Sequence, residues 1–189
     1  SYDIGEGWTS ADVAPCCDLF KNFSDLNVYT AGPAKGVSLD IAAFGNALNV
    51  RNLRVKFYNN EVLNTTMNFY DTVKKHIDSI PLTYLPASGN LQVAVNGTSA
   101  IPNDRIVVGN VAITYPAKFI FNNQQNFWFK LEPSAVGNYL EITSFNNAGV
   151  APVLYSLSDG KRYTGDIAVA GKVRFALPAS SSKSRNFIL

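Results

Sequence analysis

At 189 residues with a net charge of +2, the chain carries no basic run longer than Lys74-Lys75. It therefore lacks the clustered cations that draw proteins to nucleic acid or acidic membranes. Charged residues make up only 16% against 47% hydrophobic, and no stretch approaches the roughly 20 apolar residues that span a bilayer.

Neutral polar residues take the place of charge, above all twenty Asn, and 9 Tyr and 12 Phe accompany them. Aromatic and β-branched residues suit a pleated, half-buried surface, so the expected class is mainly all-β, a β-sandwich of jelly-roll type. A chain opening on Ser1 rather than Met fits an exported protein freed of its signal, with an extracellular or cell-surface location.

Residues 1–15 form an expected extended arm, and 16–189 a single β-sandwich domain. In the arm Tyr2, Ile4 and Trp8 share one face of an extended strand, interrupted by Glu6, while Ser1, Asp3, Gly5, Gly7 and Thr9 share the other. Two readings stand for it: an ordinary first strand, or a donor strand that adds itself to the sheet of a neighbouring subunit. Next comes the adjacent pair Cys16-Cys17, open to four readings. These are a vicinal disulfide, strained because neighbouring Cα atoms are about 3.8 Å apart, a metal site, bridges to another subunit, or two buried free thiols.

Strands are expected over 26–30, 37–44, 50–58, 91–95, 105–114, 117–121, 126–131, 139–145, 151–157, 166–176 and 185–189. In Leu53-Arg54-Val55-Lys56-Phe57 the apolar residues face one way and the cations face water. Phe127-Trp128-Phe129-Lys130-Leu131 reads as a core strand with one aromatic turned outward. Asn and Gly mark the turns at 59–60, 88–90, 96–97, 109–110 and 158–160, Asn96-Gly97 being the strongest hairpin signal. Phe69, Tyr70, Val73, Ile77 and Ile80 recur at three- and four-residue intervals before Pro81, which predicts one helix over 69–79 capped by Asn68.

The only histidine, His76, lies in that segment and points to solvent, so a Ser or Cys nucleophile has no evident base. No phosphate-binding loop, nucleophile elbow or metal-ligand spacing occurs, and acids such as Asp104 and Asp159 read as turn formers. The chain is accordingly expected to be no enzyme, with no cofactor and no metal. Asn22, Asn64 and Asn96 head Asn-x-Ser/Thr sequons and are glycosylation candidates in a source that glycosylates exported proteins. Trp8, Trp128 and the tyrosines offer aromatic faces for sugars or a protein partner.

From Asn126 onward, Phe127–Leu131, Gly137–Ile142, Pro152–Gly160 and Ser184–Leu189 resemble the bacterial pre-peptidase C-terminal domain, although Ala151-Pro152 replaces its usual acidic loop residue. The resemblance implies a secreted, non-catalytic β-sandwich appendage. The arm is similar to pilus donor strands, which implies assembly by donor-strand complementation. The adjacent cysteines and the ending Phe187-Ile188-Leu189 depart from chaperone–usher pilins.

The leading expectation is a structural subunit of an extracellular filament, pilus or surface assembly, its partner being itself through the arm. The alternative is a secreted adhesin or carbohydrate-binding module facing a glycan or host surface. A viral capsid or tail jelly-roll protein comes third.

Overall fold

The computed structural model of the chain describes residues 8–31, 36–181 and 183–189. Its contacts divide into two compact units, Ser1–Ala117 and Lys118–Leu189, each closed around a core of its own. The sequence reading draws no such boundary within 16–189.

The first unit holds β1 (Leu19–Phe23), β2 (Val37–Gly45), β3 (Val50–Phe57), β4 (Asn60–Asn68), β5 (Thr72–Ile80), a 3-10 turn (Leu82–Tyr84), β6 (Leu91–Thr98) and β7 (Ile106–Thr114). One sheet runs β1–β6–β3–β4 and the other β5–β2–β7. Strict alternation in β3 turns Leu53, Val55 and Phe57 inward and Arg54 and Lys56 outward. With Leu39 and Ile41 of β2, Val93 and Val95 of β6 and Ile106 of β7 they form one apolar core between the sheets. Each such side chain, fully withdrawn from water, contributes about 1.5–3 kcal/mol of transfer free energy.

The segment before β1 joins this sandwich. Val13 and Ile106 exchange backbone hydrogen bonds at 2.8 and 3.1 Å, the Ser10 N–H donates to the Val108 carbonyl at 2.8 Å, and Val13 is buried. Counting residues 10–13 as a strand outside β7, the sheets read 10–13–β7–β2–β5 and β1–β6–β3–β4, the order of an eight-stranded jelly roll. Of the two readings of the arm, residues 10–13 take that of a first strand in their own fold.

The second unit comprises β8 (Ile120–Gln124), β9 (Trp128–Leu131), β10 (Asn138–Phe145), β11 (Val153–Ser156), β12 (Lys161–Thr164), β13 (Lys172–Leu177) and β14 (Arg185–Ile188). Its sheets are β13–β10–β8 and β12–β11–β14–β9. Aromatic rings fill the space between them: Phe121 stacks on Phe127 with centroids 3.9 Å apart, and Phe129 stacks on Phe187 at 5.4 Å. Leu140, Ile142, Leu154, Val173 and Phe175 complete the core.

The expected helix over 69–79 is not formed. Phe69 takes a positive φ of 45° in a tight turn, and the chain continues as strand β5, paired with β2. Val73 and Ile77 are four apart, a spacing shared by a helical turn and by one face of a strand. A bulge between the pairs Val37–Ile80 and Leu39–Ile77, with Ser79 at φ 61°, then shifts the phase and returns Ile80 to the core face. The apparent helical period is thus a strand period plus one extra residue.

Asn96-Gly97 makes no hairpin either. Both continue β6, and Gly97 is needed because a Cβ there would stand 2.9 Å from the Ile106 side chain. Gly109 likewise lies inside β7, at the register shift opposite Ala42 and Ala43. Residues 26–30 supply only the bridge Val28–Ala117, and the expected strand 166–176 resolves into an Asp166–Arg174 bridge and β13. The sequence reading leaves Asn60–Asn68 unassigned; its polar, mostly exposed β4 closes one edge of its sheet.

One polar feature interrupts the core of the first unit. Arg51 shares the inward parity of Leu53 and Val55, and its side chain is wholly buried. Its Nε donates to both Asp104 carboxylate oxygens at 2.8 Å, Nη2 lies 2.7 Å from Oδ1, Nη1 donates to the Phe69 carbonyl at 2.6 Å and Nη2 to the Ala47 carbonyl at 2.8 Å. A Cβ at Gly45 would run into the Phe69 carbonyl and the Arg51 guanidinium, which explains glycine at the end of β2. Asp104, expected as a solvated turn former, is 1% exposed. Burial acts to raise its carboxyl, but hydrogen bonds from Arg51 and Ser99 and the Arg51 charge outweigh it and hold the group below the usual range.

Removing one partner leaves a charge buried alone, so Asp104→Ala is expected to destabilise the first unit by about 3–5 kcal/mol in urea unfolding. The apolar double variant R51M/D104L is expected to recover only part of this, because the carbonyls of Ala47 and Phe69 lose their donor. The unfolded chain binds the Asp104 proton at higher pH than the folded one. Its stabilisation is therefore complete above about pH 4 and is lost as pH falls through the lowered folded value, which denaturation midpoints across acid pH would read.

Candidate functional site

Three adjacent strands of the second unit align an apolar row. In the antiparallel ladder β9–β14–β11, Trp128 stands directly opposite Ile188, and Ile188 directly opposite Tyr155. Partners directly opposite share a face. The alternate residues Phe129, Phe187 and Leu154 point into the core, so Trp128, Ile188 and Tyr155 occupy the outer face. Trp128 is 63% exposed, Tyr155 48%, and Ile188 half-buried between them.

Adjacent strands lie about 4.8 Å apart, which separates the two ring-bearing positions by about 10 Å. Polar groups border the row. Arg162 pairs across from Tyr155 on β12, and Asn186 and Lys130 pair one step along. Lys130 reaches Glu132 at 3.5 Å, and Arg162 makes no ion pair among the described residues. An outward-facing apolar row with donors and acceptors at its margin suits a ligand with an apolar face and polar edges.

The other residues singled out in the sequence fall elsewhere. Tyr2 and Ile4 lie outside the described residues, and Trp8, 87% exposed, precedes the docked segment 10–13. Cys16 and Cys17 are free thiols and exposed, not buried as the plainest of the four readings had them. Asn22 and Asn64 are exposed on β1 and β4. Asn96 is half-buried, and its side-chain amide donates to the carbonyls of Cys17 at 2.6 Å and Pro15 at 3.3 Å.

His76 is 52% exposed on β5. Its Nδ1 lies 2.6 Å from Asp40 and its Nε2 3.0 Å from Asp78. Both ring nitrogens thus meet carboxylates, an arrangement that steadies an imidazolium. Among the described residues no three His, Cys, Asp or Glu side chains are gathered to hold a metal ion.

A cavity of about 240 Å3 on the outer face of β3 and β6 is lined by Pro15, Asp18, Arg54, Lys56, Ala94, Asn96 and Thr98. Arg54 is already engaged by Glu61 at 2.6 Å, and the cavity offers no aromatic surface. Trp128 was legible as an outward aromatic. Tyr155 and Ile188 were not singled out, because their placement beside it depends on strand pairing across nearly sixty residues of sequence.

No family model and no curated protein matches the chain. The fold is similar to part of the crystal structure of dimeric latent PorU from Porphyromonas gingivalis, with a TM-score of 0.50 at 6% sequence identity. The match covers 90% of this chain and 17% of that one. The likeness is one of fold. No helix among the described residues is long and apolar enough to cross a membrane.

His76 offers a direct solution test. Its contacts with Asp40, first, and Asp78 push the imidazole above its ordinary value. An NMR titration is expected to place the midpoint above about 6.5, and Asp40→Asn to bring it down. The folded value being the raised one, the associated stabilisation is complete below about pH 6.5 and is lost as pH climbs through the folded value.

Proposed function

We propose that the chain is a non-catalytic recognition segment of a longer exported protein, and that the Trp128–Ile188–Tyr155 row is its ligand surface. The ligand class that fits is carbohydrate. The observation that carries the reading is the placement of two exposed aromatics, with an aliphatic residue between them, on three successive hydrogen-bonded strands. A pyranose ring has an apolar face of axial C–H bonds and a polar equator. The first would rest on Trp128 and Tyr155, about 10 Å apart, roughly the length of two linked sugar rings. The second would meet Arg162, Asn186 and Lys130.

The resemblance of residues 126–189 to secreted pre-peptidase C-terminal domains supports an appendage role.

Titrating the chain with oligosaccharides in a calorimeter is expected to give a saturable heat of binding. Trp128→Ala or Tyr155→Ala would weaken binding by about 10-fold or more, since a stacked aromatic contributes about 0.5–1.5 kcal/mol beyond its buried area. Silence across a broad panel of glycans, or an unaltered affinity in Trp128→Ala, would overturn the reading.

Assembly through the N-terminal arm is a second reading, favoured by the exposed Trp8. It must work with residues before Ser10, because Ser10–Val13 complete the chain's own jelly roll. Deleting residues 1–8 is expected to abolish higher oligomers in light scattering. Deleting 1–13 also removes the buried Val13 and is expected to lower the unfolding midpoint.

A further inference from the structure

A second feature lies far from the aromatic row in sequence and chemistry. Cys16 and Cys17 are both exposed free thiols, and their sulfurs stand 2.7 Å apart. They occupy the crossover between segment 10–13 in one sheet and β1 in the other. The Cys17 N–H closes this turn onto the Ala14 carbonyl at 3.0 Å. From the other side the Asn96 amide holds the Cys17 carbonyl at 2.6 Å and that of Pro15 at 3.3 Å. The backbone is therefore held on both flanks while the sulfurs meet solvent.

Adjacent residues have Cα atoms about 3.8 Å apart, below the roughly 4.4–6.8 Å at which disulfides close without strain. Strain destabilises the bridge relative to the dithiol and makes it more oxidising. Exposure leaves it open to exchange, and bridges with both properties are the labile ones. Burial would have favoured inert thiols, and a relaxed Cα separation would have favoured a permanent bridge. Neither condition holds.

We propose that Cys16 and Cys17 form a reversible redox site, an exposed vicinal dithiol that exchanges with disulfide-bonded substrates. The Cys16 thiolate attacks one sulfur of the substrate disulfide, expelling a thiolate and leaving a mixed disulfide. Cys17 then gives up its proton to solvent, attacks the Cys16 sulfur and expels the second thiolate. Two thiols and one disulfide become one vicinal disulfide and two thiols; the pair gives up two electrons and two protons, and the substrate disulfide is reduced. Contact with Cys16, first, and desolvation push the Cys17 thiol up.

The test uses the full chain equilibrated with oxidised and reduced glutathione at stepped ratios, acid-quenched, alkylated with N-ethylmaleimide and weighed intact. The expected result is a reduced form with two alkyl groups and an oxidised form with none, lighter by two hydrogens. Excess reduced glutathione would reopen it. Cys16→Ser and Cys17→Ser would each accumulate a glutathione adduct at the remaining thiol, because no neighbour resolves it.

Two alkyl groups retained in oxidised glutathione alone would overturn the proposal. So would a stable glutathione adduct on the unaltered chain, a covalent dimer, or a bridge that excess reduced glutathione leaves closed. Failure of both serine variants to take up glutathione would overturn it too, by showing the thiols closed to exchange.

Discussion

The first unit is organised around a charge that has no access to water. A buried guanidinium tolerates few arrangements, because every donor left unpaired in the interior costs free energy. Arg51 meets that demand by gripping Asp104 and the carbonyls of Ala47 and Phe69. Those three points belong to the loop before β3, the turn between β4 and β5 and the loop before β7. One side chain thus ties together three connections far apart in sequence, and Gly45 leaves room for it. The exposed apolar residues Leu48, Phe69, Tyr70 and Ile101 sit on these same connections, fixed from beneath.

The second unit is held differently. Its sheets close over stacked and tilted phenylalanine rings, Phe119, Phe121, Phe127, Phe129 and Phe187 among them. Such a core leaves alternate positions of the same strands free to face outward, which is how Trp128 can be a surface residue between the half-buried rings of Phe127 and Phe129. Rigidity below and aromatic surface above are one arrangement seen from its two faces. A ligand meeting Trp128 and Tyr155 meets residues whose backbone is already ordered by the ladder, so binding need not spend free energy on ordering them.

Much of this fold was readable because strand periodicity is a local property. Leu53, Val55 and Phe57 declare an inward face by alternation alone, and the same parity places Arg51 inside, a sign available in the sequence but overridden by the ordinary habit of arginine. The misread segment 69–79 failed for a physical reason. A bulge inserted one residue into a strand and turned a spacing of two into a spacing of three, which imitates a helix. Asn96-Gly97 failed because glycine serves tight turns and close approaches alike, and only Ile106, arriving from β7, shows which need applied.

The sequence by itself determined the sheet-rich class, the inward and outward faces of the strongest strands, the outward turn of Trp128 and the adjacency of the two cysteines. All of these follow from composition, alternation or direct covalent neighbourhood. Tertiary structure alone decided the division into two units, the recruitment of Ser10–Val13 as an outer strand, the partner of Arg51 and the alignment of Trp128, Ile188 and Tyr155. Each of these depends on which strand lies beside which. Strand pairing is a contest among many edges of similar intrinsic affinity, settled by the burial of whole faces rather than by any local signal. Exposure of the Cys16-Cys17 sulfurs belongs to the same class, since it was set by a turn that Asn96 clamps from 79 positions away.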